Sequence, residues 1–124
     1  MDDCTKQRLM LANEFKECQL PITAIGDETR QSIILAILEN DTVGMRVGDI
    51  TKKVHLSRPA VSHHLKILKD AKIISVRKKG TKNYYYMDIN TTSLKKLYSL
   101  VNHIYNLVEK ATENHYPNNH LEEE

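Results

Sequence analysis

Long apolar runs are missing from this sequence of 124 residues, whose longest, Ile33 to Leu38, spans six. A membrane-spanning helix needs about 20. The opening stretch MDDCTKQR holds no apolar signal segment, so the expectation is a cytoplasmic protein with no membrane partner. Two cysteines, Cys4 and Cys18, are too few for a disulfide framework and suit a reducing compartment. No glycine-rich phosphate loop, metal-ligand set or nucleophile–base pairing is evident, and the adjacent His63 and His64 have no carboxylate or nucleophile placed to form a triad. The chain reads as no enzyme. Neither an internal repeat nor a low-complexity linker divides it, so one domain is expected over 1–124.

What is present is an uneven distribution of charge. Hydrophobic residues at 40% and charged residues at 27% describe an ordinary globular chain with a net charge of only +2. Between Arg58 and Lys82, however, eight Lys/Arg stand against a single acid, Asp70, while the remainder of the chain is net acidic. A solvated helix face would explain a short basic run. An excess of this size in an otherwise acidic chain points to a polyanionic partner.

Periodicity supplies the elements. Lys6 to Leu20 reads as a helix with Leu9, Ala12, Phe15 and Cys18 or Gln19 on one face, interrupted by Pro21 and continued briefly over Ile22 to Ile25. Asp27 caps a helix over Glu28 to Glu39, and a polar turn over 40–44 precedes a short helix, Val47 to Val54. After the tight turn His55-Leu56, Ser57 caps a helix that carries Pro59 in its first turn and runs to about Lys72. Ile73 to Arg77 and Tyr84 to Ile89 are β-prone around a polar turn at Gly80, a hairpin with a basic tip. Strand alternation alone accounts for Tyr84, Tyr85 and Tyr86. Thr92 to about His115 forms a last helix whose Leu94, Leu97, Val101, Ile104, Val108 and Ala111 step as a heptad seam. Pro117 to Glu124 reads as a frayed tail.

This order predicts a mostly α fold with a small β-hairpin: a winged helix-turn-helix of five to six helices, dimerising through its first and last helices. Its DNA-binding core covers about 22–89, and its dimerisation helices about 6–20 and 92–115. The helix after Ser57 is the expected recognition helix, because an α-helix fits the major groove and its N-terminal residues reach base edges. Ser57, Arg58, Ser62, His63 and Lys66 face outward there, with Arg58 suited to a guanine edge and Lys66 to a phosphate, while Val61, Leu65 and Leu68 face the core. Arg77, Lys78, Lys79 and Lys82 form the wing. A seam so apolar implies a two-fold homodimer.

Two stretches carry a family resemblance. LSRPAVSHHLKILKDAKIISVRKKGTKNYYYMD (Leu56 to Asp88) resembles the recognition helix and wing of ArsR-type bacterial repressors, and IGDETRQSIILAIL (Ile25 to Leu38) resembles that family's second helix. The likeness covers roughly Ile22 to Ile89. It implies a sequence-specific regulator of double-stranded DNA, most readily a repressor, working as a homodimer on an inverted-repeat operator. The alternative is a winged-helix module turned to protein contacts, with no specific operator. One departure is local: Lys72 stands where the family has glycine after the recognition helix, at a cost on the order of 1 kcal/mol if that position needs positive φ.

The resemblance also invites a metal site, and position by position it brings none. Alignment through Asp49-Ile50 puts the cysteines of the family's thiolate site at Arg46 and Gly48. The second family site, anchored on His103, falls on Val101, Asn114 and Pro117. Only an improvised set of His103, Glu109, Glu113, His115 and His120 remains. The expectation is therefore no metal and no cofactor, with the effector left unnamed. Cys18 is a candidate redox residue, with a half-buried, unreactive place in the dimer interface as the alternative. A small molecule between the first and last helices is the other candidate trigger.

Overall fold

Pro21 sets the first break. It has no N–H to offer the carbonyl of residue 17 and its ring crowds that carbonyl, so helix α1 (Asp3–Glu17) stops there and Cys18 becomes its C-cap. The next helix, α2 (Gln19–Ile25), carries Pro21 in its own first turn, where the missing donor costs nothing. The break thus lies three residues earlier than the sequence reading placed it. The computed structural model describes residues 2–40, 43–88, 90 and 92–115, apart from the side chains at 92, 114 and 115. Residues 117–124, expected to fray, lie outside them.

Asp27 accepts the Arg30 amide at 3.0 Å and starts α3 (Glu28–Glu39). Helix α4 (Val47–Val54) and helix α5 (Arg58–Asp70) follow, then strands β1 (Ile74–Lys79) and β2 (Lys82–Met87), and finally α6 (Thr92–His115). Among the described residues these make six helices and one antiparallel hairpin. The fold class read from the sequence is the one observed. Ile33 of α3, Ile50 of α4, and Val61, Leu65 and Leu68 of α5 close into one core with Ile73 and Ile74.

The end of α5 explains Lys72. Ile73 N donates to Leu68 O at 2.9 Å and Lys72 N donates to Lys69 O at 2.9 Å, the paired bonds of a Schellman motif. The motif places Lys72 at φ 60, while Leu68 and Ile73 bury fully on either side of it. Helix α5 ends at Asp70, two residues before the expected limit, and Ile73 belongs to the cap rather than to the strand.

The hairpin is longer and tighter than its sequence pattern implied. Register runs from Ile74↔Met87 to Lys79↔Lys82, which leaves only Gly80 and Thr81 to turn the chain. Gly80, at φ 66, takes the first central position of this two-residue connection, where II′ hairpins favour glycine. A third segment joins the sheet: Met45 N donates to Tyr85 O at 2.9 Å and Tyr85 N to Met45 O at 2.8 Å. Gly44 makes this approach possible, since at φ +105 a Cβ would lie 2.9 Å from Tyr85 O.

Helix α6 carries two apolar stripes where one was expected. Leu97, Leu100, Ile104 and Leu107 turn toward α1 and the core, with Leu100 almost fully buried. Tyr98, Val101, Tyr105 and Val108 form a neighbouring exposed stripe. The expected seam mixes members of both, because adjacent heptads on a half-apolar helix share Leu97 and Ile104. Helix α1 and its C-cap meet α6 through Glu14 and Cys18, while Leu9 and Phe15 stay about half exposed. Glu14 is the polar clasp: His103 Nδ1 lies 2.6 Å from Oε1, and Ser99 Oγ donates to Oε2 at 2.7 Å.

Two stability effects follow from these contacts. Lys72→Gly is expected to raise stability by about 1 kcal/mol, because glycine enters the left-handed region without penalty. Urea unfolding should show a higher midpoint at unchanged slope. The His103 hydrogen bond, then that of Ser99, hold the Glu14 carboxyl below its ordinary value of 4.5. A depressed carboxylate stabilises the fold above its unfolded value and loses that contribution as pH falls through its folded value. Wild type should therefore lose more stability than Glu14→Gln between roughly pH 5 and pH 3, as measured by thermal unfolding across that range.

Candidate nucleic-acid interface

The bend between α4 and α5 is made by His55. At φ 58, ψ 43 it ends α4 in the left-handed region, with its N–H on Thr51 O at 2.9 Å. Ser57 then caps α5, its Oγ accepting the Ala60 amide at 3.3 Å. With Val61, Leu65 and Leu68 buried, Ser57, Arg58, Ser62, His63 and Lys66 are all exposed on the other side of α5. That is the division expected from the sequence.

Helix α5 is pinned along its length. Arg30 Nε donates to Ala24 O at 2.7 Å and Nη2 to Thr23 O at 3.3 Å, using carbonyls left open at the end of α2. Its Nη1 reaches His64 Nδ1 at 3.2 Å, so one guanidinium joins α2, α3 and α5. Receiving that donor makes Nδ1 an acceptor and puts the imidazole proton on Nε2. The Arg30 amide, followed by the Arg30 charge, keeps the Asp27 carboxyl below its ordinary range. At the far end, buried Ser93 Oγ donates to Ala71 O at 2.6 Å and ties α6 to the last turn of α5.

The basic side chains divide into engaged and unengaged. Arg77 Nη1 donates to Val43 O at 3.0 Å, and its guanidinium sits 4.4 Å from the centre of the Tyr86 ring. It braces the root of the wing. Lys66 pairs with Asp70 at 2.9 Å in an exposed i,i+4 bridge. Lys78, Lys79 and Lys82 stand exposed near the tip. Arg58 folds back over the first turn of α4, its Nη1 3.7 Å from where a Cβ at Gly48 would stand. It shares a cleft with Thr81, Lys82 and Asn83 of the wing, with Arg46, the N-cap of α4, and with Lys52 of α4. Sequence reasoning passed over Arg46 and Lys52 because they precede the basic segment. Their place on the helix before a capped recognition helix is the signal that could have found them.

The opposite layer holds the candidate sensing residues. Cys18 is fully buried rather than half-buried, with Sγ donating to Lys96 O at 3.6 Å. Burial first, then the charge of Glu14, pushes its thiol above the ordinary range. Thiols so placed react slowly. Cys4 is exposed. His103 faces Glu14, and Glu109 accepts from Tyr105 at 3.2 Å. The His115 side chain and His120 lie outside the described residues, among which no three His, Cys, Asp or Glu side chains gather. Two hollows, of about 510 and 490 Å³, lie along the α1–α6 groove beside Gln7, His103 and Leu107. No helix among the described residues is long and apolar enough to cross a membrane.

A helix pair with a left-handed corner, a capped and half-bare second helix and an adjoining basic hairpin define a winged helix-turn-helix. Solved structures agree on the fold. The repressor BigR from Xylella fastidiosa superposes with a TM-score of 0.57 at 18% identity, covering 81% of this chain and 94% of BigR. A homodimeric winged helix-turn-helix DNA-binding domain from Mycobacterium bovis gives 0.50 at 18% identity, over 98% and 97% of the two chains. The family description "bacterial regulatory protein, arsR family" matches residues 27–76. The transcriptional repressor SdpR of Bacillus subtilis is 38% identical over 88 residues, 71% of this chain and 89% of SdpR. An arsenical resistance operon repressor of the same organism is 32% identical, over 78% of this chain and 84% of that one. The chain belongs to the ArsR family of bacterial regulatory proteins. It is a DNA-binding transcriptional regulator and not an enzyme.

Arg30 is central to how this surface is held, and Arg30→Met tests it. The change leaves two carbonyls and the His64 ring without their donor and should cost about 2 kcal/mol. Hydrogen exchange should quicken at the end of α2 and in α5 before it does in β1 and β2.

Proposed function

We propose that the protein is a repressor that binds an inverted-repeat operator as a two-fold homodimer. The observation carrying this reading is the bare face of α5, polar and basic from Ser57 to Lys66, beside the exposed lysines of the wing. Ser62 and His63, one turn into the helix, can exchange hydrogen bonds with base edges in the major groove. Ser57, Arg58, Lys66, Lys78, Lys79 and Lys82 supply backbone contacts that seat the helix. Arg77 acts indirectly, by stiffening the wing. The turned-back guanidinium of Arg58 shifts it from the guanine contact expected of it to this second group.

The homodimer is supported by surface that a monomer leaves uncovered. Tyr98, Val101, Tyr105 and Val108 on α6, with Leu9, Met10 and Phe15 on α1, are each about half exposed or more. Contiguous apolar surface of this kind marks an interface. A two-fold arrangement of two recognition helices would read half-sites about one helical turn, or a multiple, apart.

Sedimentation at micromolar concentration should give a dimer mass, and selection from a random duplex pool should enrich an inverted repeat. His63→Ala should lower affinity for the selected site more than for random DNA, whereas Lys79→Ala should lower both alike. A monomer, or a pool left without an enriched sequence, would overturn the reading and favour a module specialised for protein contacts.

A further inference from the structure

Three elements turn unpaired cations toward one place. Arg46 caps α4, Lys52 lies further along it, Arg58 opens α5, and Lys82 opens β2; together they line a cleft of about 290 Å³. All four are exposed, and among the described residues none is in an ion pair. Their neighbours differ: Lys53 reaches Glu39 at 3.4 Å, and Lys66 is taken by Asp70. The cleft has one carboxylate, Asp49, against four positive charges. Like charges gathered around a concave surface focus a positive field, which an anion relieves.

Gly48 keeps the cleft open. Glycine is a poor choice inside a helix, yet a Cβ there would already lie 3.7 Å from Arg58 Nη1. A longer side chain would meet the guanidinium and occupy the space between α4 and the wing. Thr81 and Asn83 add a hydroxyl and an amide on the far wall. A guanidinium fork, a second arginine, two ammonium groups and neutral donors match the oxygens of a phosphate group.

We propose that this cleft is a phosphate site that clasps one phosphodiester of a DNA backbone between α4 and the wing. Arg46, Lys52, Arg58 and Lys82 are its ligands, and Gly48 provides its room. The site rests on the DNA-binding reading above and extends it: one phosphate held from three elements fixes the depth and register of α5 in the groove. Free phosphate has the same chemistry, so the test has two arms.

The first arm measures affinity for a short random-sequence duplex against salt, for wild type, Arg46→Ala, Lys52→Ala and Gly48→Glu. Each alanine variant should lower the slope of log K against log [salt] by a part of the roughly 0.9 that one phosphate contact is worth, because the remaining cations still hold the same phosphate. Gly48→Glu, a better helix former that brings a carboxylate to Arg58, should weaken binding by about tenfold or more. The second arm follows the amides of Gly48 and Thr81 by NMR as inorganic phosphate or the duplex is added. The duplex should shift both amides, and inorganic phosphate should compete only weakly. Unchanged slopes in both alanine variants, with wild type binding the duplex, would overturn the site and leave the DNA-binding reading intact. Shifts caused by inorganic phosphate in a protein that binds no duplex would make this a free-anion site and overturn the DNA assignment.

Discussion

A helix that offers one face to a partner can be held only by the other. Helix α5 meets that constraint with Val61, Leu65 and Leu68, all fully buried. Burial of such side chains is worth about 1.5–3 kcal/mol each. This is little for a helix whose opposite face is open to solvent and carries the exposed Lys66–Asp70 bridge, and the additional ties concentrate where it is needed. Arg30 bonds to it from α3, Ser93 from α6, and the buried pair Leu68 and Ile73 locks its last turn. The other elements are arranged around the same requirement, with α3, α4 and β1 forming the floor on which α5 rests.

Much of this was legible in the residues themselves. The limits of α3, α4 and α6 follow from Asp27, from the spacing of Ile50 and Val54, and from the long apolar period of the last helix. Ser57, Pro59 and the buried triplet fix the orientation of α5, and with it which side chains stay bare. Lys72 was legible as a departure whose cost depended on backbone geometry, and at φ 60 it incurs that cost. Other features depend on atoms that only tertiary structure brings together. Arg77 counts as a wing charge by sequence, but Val43 O and the Tyr86 ring engage it. Arg46 and Lys52 lie outside the basic segment yet share a cleft with its ends. The seam of α6 was misassigned because two heptads overlap on one helix, and only the packing of α1 separates the covered stripe from the bare one.

The two outward surfaces differ in chemistry. Around α5 and the wing, the exposed groups are cationic or hydrogen-bonding. Along α1 and α6 exposed aromatic and aliphatic side chains stand among charged ones, and Glu14, Ser99 and His103 form a polar clasp between the two helices. The layers meet where Ser93 bonds to the end of α5 and where Cys18 is sealed beneath Lys96. A change in the spacing of α1 and α6 would reach α5 first through its C-terminal turn.

The small bridge between Met45 and Tyr85 has a consequence of its own. A free two-stranded hairpin is marginally stable in water, and a basic one would sample many orientations around its root. Two backbone hydrogen bonds to the segment just before α4, admitted by the bare α-carbon of Gly44, make the wing a lever fixed to the same frame as the recognition helix. The entropy of orienting that lever is thus lost on folding and need not be lost again at each encounter with a partner. A wing preorganised in this way favours fast, shape-selective association over a slow search by a flexible arm.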